Sequence, residues 1–311
     1  MPTPHTILVL GTGELGHSIL HALASHPSRP ASVTLTLLLR PSSLSTLTSS
    51  STSPKASSLA ALQTLGVGFI AADLATDSEE HLAGVFRGFD TVVGATGMVL
   101  PPGTQRKLCR AVLGAGVPCY FPWQFGADYD VIGRGSAQEL FAEQIGVREM
   151  LRGQRGTRWV VVSVGMFMSF LFEEAFGGMV ERRVKGVNAL GGWGNLVTVT
   201  TVEGIAKVVA ELVYVALEER DKVVFVAGET VTYGELADVV EEAMGKKVQR
   251  REWTLKYLKG ELAKDPDDEM KKYRIVFGEG VGVAWDKETT FNAERGIETT
   301  GIREYAKKVL V

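Results

Sequence analysis

From His17 to Ala72 the chain carries no aspartate or glutamate, and beyond His81 it carries no histidine. Cysteine is equally scarce: Cys109 and Cys119 are the two thiols in 311 residues. Two lone thiols give neither a disulfide framework nor a paired metal motif. His5, His17, His21 and His26 read as tail or helix-surface residues and His81 as part of a polar helix. An imidazole acid or base from any later loop is thereby excluded. No metal-ligand spacing of the His-Glu-x-x-His or Cys-x-x-Cys kind occurs. No Gly-x-Ser-x-Gly elbow occurs either, which argues against a hydrolase of that type. None of the seven tyrosines has a lysine four residues on. The ordinary short-chain dehydrogenase acid, a tyrosine whose pKa a lysine lowers, is therefore absent.

Apolar runs stay short of the roughly 18 residues that a membrane span needs. A net charge of −3 without a strongly basic stretch argues against a nucleic-acid partner. The segment Met1-Pro-Thr-Pro-His5 lacks the charged and apolar regions of a signal peptide. The expectation is a soluble, cytoplasmic protein with a core large enough for one big domain or two lobes.

What the chain does have stands at its start. The apolar strand Thr6-Ile-Leu-Val-Leu10 runs into Gly11, Thr12, Gly13, Glu14, Leu15 and Gly16, and a helix pattern follows. That context strengthens a weak glycine motif into a candidate dinucleotide site, the alternative being an ordinary strand-to-helix turn with no ligand. Gly11 permits a tight turn, Gly13 lets backbone approach the pyrophosphate, and Gly16 lets the helix pack on the strand. The helix N-terminus offers N–H groups and partial positive charge to the anion. A second strand, Val33 to Leu39, ends at Arg40. An acid here binds the ribose 2′-hydroxyl of NAD, whereas an arginine accommodates the 2′-phosphate of NADP. With no carboxylate competing, the cofactor reads as NADP(H), the alternative for Arg40 being a solvated strand-end arginine.

Strand and helix patterns then alternate. Pro41 to Ser58, rich in Ser and Thr, reads as a long loop bordering the adenosine phosphate, with Lys55 a second candidate cation. Lys55 to Leu65 reads as a helix and Val67 to Ala71 as a third strand. Asp73 after it either borders the adenine or caps a helix. Phe89 to Val93 reads as a fourth strand, followed by Gly94, Ala95, Thr96 and Gly97, small enough for a cofactor to lie across. A helix over 102–115, a strand over 117–121, a helix over about 136–152 and a strand over 159–163 complete the alternation. The fold class is α/β: a doubly wound parallel sheet with helices on both faces. Ligands bind outside the carboxyl ends of such strands, so the loops at 94–101, 122–135 and 164–178 are expected to share one crevice. Residues 1–160 are expected to form the cofactor domain. Residues 161–311 are expected to complete the sheet and to form a smaller α+β substrate lobe.

The later half is less regular. Val164 to Phe172, rich in methionine and aromatics, either lines an apolar pocket or is simple core. Thr200 or Thr201 caps a helix over 202–217, a strand follows over 223–226, and Thr232 starts a helix to Met244. Residues 246–274, mixing both charges, read as a solvated helical surface.

These residues resemble the NmrA-like family, which includes the isoflavone reductase-like enzymes and is an atypical relative of the short-chain dehydrogenases. The similarity runs through Gly11–Gly16, Arg40, Asp73, the block Phe121-Pro-Trp-Gln-Phe-Gly-Ala-Asp128, the helix Leu140–Leu151 and Val161-Val-Ser-Val-Gly-Met-Phe167. It thins after about residue 230. The Phe-Pro-x-x-Phe-Gly block is its most specific part and is particularly similar to fungal members. The resemblance implies a Rossmann-type domain, an NADP(H) site and a cleft shared with a C-terminal lobe. Trp123, Phe125, Gly165, Met166 and Phe167 are the substrate-pocket residues this suggests. It also implies a lysine that binds the nicotinamide ribose and helps proton transfer. Aligned on Phe141 and Val147-Arg148, that position is Gln144, and no lysine occurs from Ser136 to Gly153. An amide still bonds a ribose hydroxyl but has no proton to tune. Tyr129, or water held by Gln144 and Asp128, is the substitute.

Two functions follow. One is an NADPH-dependent reductase of a small, lipophilic, aromatic or enone-type metabolite. The other is a non-catalytic, redox-sensing regulator that binds the dinucleotide and a partner protein. Redox-neutral isomerisation or dehydration is a third reading.

Overall fold

A computed structural model describes residues 5–48, 54–97, 100–173, 178–181 and 186–311. In chain order the elements are β1 (Thr6–Leu10), α1 (Glu14–Ser25), β2 (Thr34–Leu39), α2 (Pro41–Thr48), α3 (Pro54–Thr64), β3 (Val67–Ala71), α4 (Glu79–Phe86), β4 (Thr91–Gly94), α5 (Thr104–Ala115), β5 (Cys119–Phe121), α6 (Tyr129–Ile132), α7 (Glu139–Arg152) and β6 (Arg158–Ser163). There follow β7 (Met166–Phe167), α8 (Met168–Phe172), β8 (Val180–Glu181), β9 (Gly186–Leu190), β10 (Leu196–Thr200), α9 (Val202–Tyr214), β11 (Lys222–Phe225), β12 (Glu229–Thr232), α10 (Tyr233–Met244), β13 (Gln249–Trp253), α11 (Leu255–Lys264), α12 (Glu269–Glu279), α13 (Phe291–Glu294) and α14 (Ile302–Leu310).

The chain divides into two compact units. One comprises 1–124, 146–162 and 205–224, the other 125–145, 163–204 and 225–311. The chain crosses between the units at 124/125, 145/146, 162/163, 204/205 and 224/225, where the sequence predicts a single boundary at 160/161 with the later part completing the sheet.

In the first unit a seven-stranded sheet has the order β11-β6-β5-β4-β1-β2-β3. Parallel pairing joins β1 to β2 and β4, β2 to β3, and β5 to β4 and β6. The chain works outward from β1 in one direction, then resumes on the other side with β4. The topological switch point therefore lies between β1 and β4, as in the doubly wound dinucleotide folds. Ile7, Leu8, Val9 and Leu10 are wholly buried, as a central strand covered on both faces requires. Helix α1 buries Leu15, Ile19, Leu20 and Leu23, spaced by one helical turn. Leu8, Leu10, Leu82, Phe86, Leu108, Val112 and Tyr120 share one apolar cluster.

Two sequence expectations give way here. The Ser/Thr-rich run after Arg40 is not one long loop: it holds α2, while α3 is the helix expected over 55–65, and 49–53 lie outside the described residues. The Arg40 carbonyl accepts from the Ser43 and Leu44 amides at 2.8 and 3.1 Å, and Pro41 takes the first helical position. Asp73 caps no helix either. Ser78 is the N-cap of α4, its hydroxyl accepting from the His81 amide.

The second unit has two three-stranded sheets, β12-β10-β7 and β13-β9-β8. Here 246–274 is not all helical, because Gln249–Trp253 pairs in parallel with β9. Its alternate residues stay exposed on a sheet edge, so the charges disguise a strand. The Thr201 hydroxyl accepts from the Gly204 amide at the start of α9. Thr232 and Glu235 form a reciprocal capping box on α10. Met168, Leu171, Phe172, Tyr233, Leu236 and Val240 are wholly or almost wholly buried in this unit's core. Among the described residues no helix is long and apolar enough to cross a membrane.

Candidate functional site

Three glycines shape the turn between β1 and α1, and each has its own reason. Gly11 has φ +119°, and a Cβ on it would lie 2.7 Å from Thr96 Cβ. A Cβ on Gly16 would lie 2.1 Å from the Gly11 carbonyl oxygen. These two glycines are required by packing within the protein. Gly13 is different: it is exposed, and a Cβ there would meet nothing within 4 Å. It is the N-cap of α1 yet supplies no capping side chain. The first turn of α1 thus presents backbone N–H groups at the positive end of the helix dipole, over an open glycine. That is the cradle a pyrophosphate fits.

The turn sits at the switch point. The Ala95 amide donates to the Leu10 carbonyl at 2.8 Å, fixing the end of β4 beside it. Ala95 and Thr96 both lie against Gly11, and Ala95 Cβ is 3.5 Å from where a Cβ on Gly16 would stand. The Gln105 amide donates to the Thr96 carbonyl at 3.2 Å. The structure therefore brings together Gly11, Gly16, Ala95 and Thr96, which the sequence separates by some eighty residues.

Arg40 stands at the end of β2, adjacent to β1 on the other side. It is exposed, and among the described residues its guanidinium has no hydrogen-bond or ion-pair partner. The side chain of Lys55 lies outside the described residues. Asp73, just after β3, accepts from the Ala75 and Thr76 amides at 2.9 and 3.3 Å. Lys107 fastens the same turn by donating to the Ala75 and Asp77 carbonyls, each at 2.9 Å. Asp73 is therefore part of a self-bonded turn.

The small residues after β4 have a reason that the sequence does not reveal. A Cβ on Gly94 would come within 2.8 Å of the Trp123 amide nitrogen. One on Gly97 would fall 2.0 Å from Trp123 Cε3. Both glycines make room for Trp123, whose indole lies directly on the Gly97 backbone. Next to it, Gln124 is buried and accepts from Arg148 Nε at 2.8 Å. Arg148 is wholly buried. Sequence reasoning missed Arg148, because an arginine on an amphipathic helix gives no sign that it is inside.

The remaining sequence candidates belong to the second unit. Tyr129 is buried; its ring packs 4.7 Å from that of Phe141, and its hydroxyl lies 2.3 Å from where a Cβ on Gly126 would be. Gln144, on α7, and Phe125 are also buried. Gly165 has φ +76°, and a Cβ there would lie 2.1 Å from the Thr198 carbonyl oxygen. The Val164 and Gly165 amides both donate to the Gly126 carbonyl, at 2.9 and 3.1 Å. Met166 is buried and Phe167 half-buried, both in β7 beside β10. Residues 98–99 and 174–177, in two of the loops expected to frame the crevice, lie outside the described residues. Among the described residues no cluster of His, Cys, Asp or Glu could hold a metal.

An open parallel sheet with a glycine turn at its switch point defines a Rossmann-type α/β protein. Residues 3–305 match the pattern of the NmrA-like family, and the chain belongs to that family. It is similar to an NmrA-like family domain-containing oxidoreductase of Gibberella moniliformis, 47% identical over 305 residues, 97% of each chain. Among solved structures it is similar to an isoflavone reductase, at 20% identity and a TM-score of 0.78, over 98% of this chain and 99% of that one. An NADPH-dependent quinone oxidoreductase of Escherichia coli, complexed with NADPH, matches at 19% identity and a TM-score of 0.73, over 98% and 100%. At these identities the two structures establish the fold. The resemblance read from the glycine turn and the Phe-Pro-x-x-Phe-Gly block is borne out.

Proposed function

We propose that this protein is an NADPH-dependent reductase of a small aromatic or enone-type metabolite. The observation that carries the reading is the pairing of an open Gly13 cradle with Arg40 at the neighbouring strand end. Gly11, Thr12, Gly13, Glu14, Leu15 and Gly16 form the pyrophosphate turn, Ala95, Thr96 and Gly97 lie along the cofactor, and Arg40 pairs with the 2′-phosphate. A guanidinium engages a phosphate through two parallel charge-assisted bonds. The name of the fungal relative, an oxidoreductase, and the NADPH complex of the quinone reductase support the same reading. A bound nicotinamide supplies the hydride, and the protein's work is to orient reactants and exclude water.

Gln144 stands where the family resemblance implies a lysine. An amide can hold a hydroxyl but donates no proton on demand. The reductase reading therefore favours acceptors already polarised by conjugation, for which protonation follows from solvent. The same glutamine supports a second reading, a redox-sensing regulator that binds NAD(P) and another protein without turnover.

Calorimetric titration with NADPH, NADP⁺, NADH and NAD⁺ in parallel tests these readings. The reductase predicts tight binding confined to the phosphorylated pair, with NADPH at least as tight as NADP⁺. A preference for oxidised forms regardless of the 2′-phosphate selects the regulator. No binding by any of the four overturns both.

A further inference from the structure

Trp123 is the large aromatic group at the end of β5, and the fold is shaped to hold it. The sequence gives Gly94 and Gly97 as generic small residues, but both positions are closed to a Cβ by Trp123, one by its backbone and the other by its ring. Pro122 precedes it and restricts the approach. One face of the indole lies on Gly97, yet the residue as a whole remains partly exposed while Phe121, Pro122 and Gln124 around it are buried.

Its place relative to the switch point gives the exposure a meaning. Thr96, one residue before Gly97, touches Gly11 in the phosphate turn. A dinucleotide lies across the crevice at the point where strand order reverses, one half to each side. With Arg40 marking the β2 side for the adenosine phosphate, the half that reacts falls on the β4–β5 side, where Trp123 stands. An indole already fixed by packing loses little rotamer freedom when a ring settles on it. Its π face prefers an offset, flat partner.

We infer that Trp123 is a specificity-determining stacking wall, which selects flat conjugated acceptors of the quinone class over non-aromatic enones. This rests on the reductase reading for the identity of the reacting half.

Binding can be tested without turnover by loading the protein with NADP⁺ and titrating menadione, a naphthoquinone, against cyclohexenone. The wild type is expected to bind menadione at least tenfold more tightly. Trp123→Ala should abolish that preference and Trp123→Phe should keep most of it. Trp123→Leu, which keeps apolar bulk against Gly97 but offers no π face, should also lose the preference while still binding NADP⁺, and that retained binding guards against a variant that fails to fold. The inference is overturned if the wild type shows no preference, or if both Trp123→Ala and Trp123→Leu retain it. Menadione bound in a Trp123-dependent way, with no NADPH consumed when the reduced cofactor replaces NADP⁺, would sink the reductase reading and leave the stacking wall standing.

Discussion

At the scale of one side chain, Arg40 is the residue on which the proposed cofactor choice rests. Its guanidinium is exposed, and no carboxylate occurs between His17 and Ala72 to neutralise it or to bind a ribose hydroxyl instead. Arg40→Ala is expected to weaken NADPH at least tenfold, about 1.4 kcal/mol, and NADH by less than twofold, both read by calorimetry. Equal losses would remove Arg40 from the phosphate. Tyr233 makes the opposite case, a polar atom with no gain attached. It is wholly buried, which pushes its pKa upward through desolvation, and among the described residues its hydroxyl has no hydrogen-bond partner. Tyr233→Phe removes an unpaired buried donor while keeping the ring, so it is expected to stabilise the fold by about 1 kcal/mol. A urea midpoint that moves down would show that the hydroxyl is satisfied after all.

At the scale of elements, β1, the turn and α1 behave as one device. Gly16, the one glycine of α1, is buried, and its missing Cβ is what lets the helix start so close to the Gly11 carbonyl. Gly16→Ala must push α1 away from β1 or tilt it. The expected result is loss of dinucleotide binding by tenfold or more, together with a lowered melting temperature. Retained affinity would mean that the turn relaxes without moving the helix N-terminus. Gly13→Ala meets no such obstacle within the protein, so it separates ligand contact from packing in the same turn.

Over the whole molecule, burial sets which groups can titrate or react. Desolvation raises the Cys109 thiol to about 12 and the Cys119 thiol to about 11. Since the thiolate is the reactive species, Ellman's reagent at pH 8 is expected to find neither thiol in the native protein and both after denaturation. Rapid native labelling would contradict the burial. Glu241 is held at about 2, chiefly by hydrogen bonds from Arg250 and then Lys247. A carboxylate lowered on folding contributes stability that is complete above its ordinary value of 4.5 and vanishes as pH falls through about 2. Glu241→Gln should therefore bring the melting temperatures of variant and wild type together as pH drops across that window. A difference that persists below pH 2 would point to packing and not charge.

The sequence by itself determined the order of β1 to β6 and the longer helices between them, the glycine turn, the place of Arg40 and the family. Those features are local: apolar runs, glycine spacing and strand-end residues all act within a dozen positions. It misjudged 41–48 because Ser and Thr are mediocre helix formers, yet Pro41 in the first helical position and the Arg40 carbonyl start a helix there. It misjudged Gln249–Trp253 because the pairing that makes a strand there comes from β9. Tertiary structure alone decided why Gly94 and Gly97 are small, where Trp123 stands, that Arg148 is buried against Gln124, and that Tyr129 packs on Gly126 and Phe141. Each depends on atoms far apart in the chain meeting within a few ångströms, and no local pattern encodes a contact of that kind.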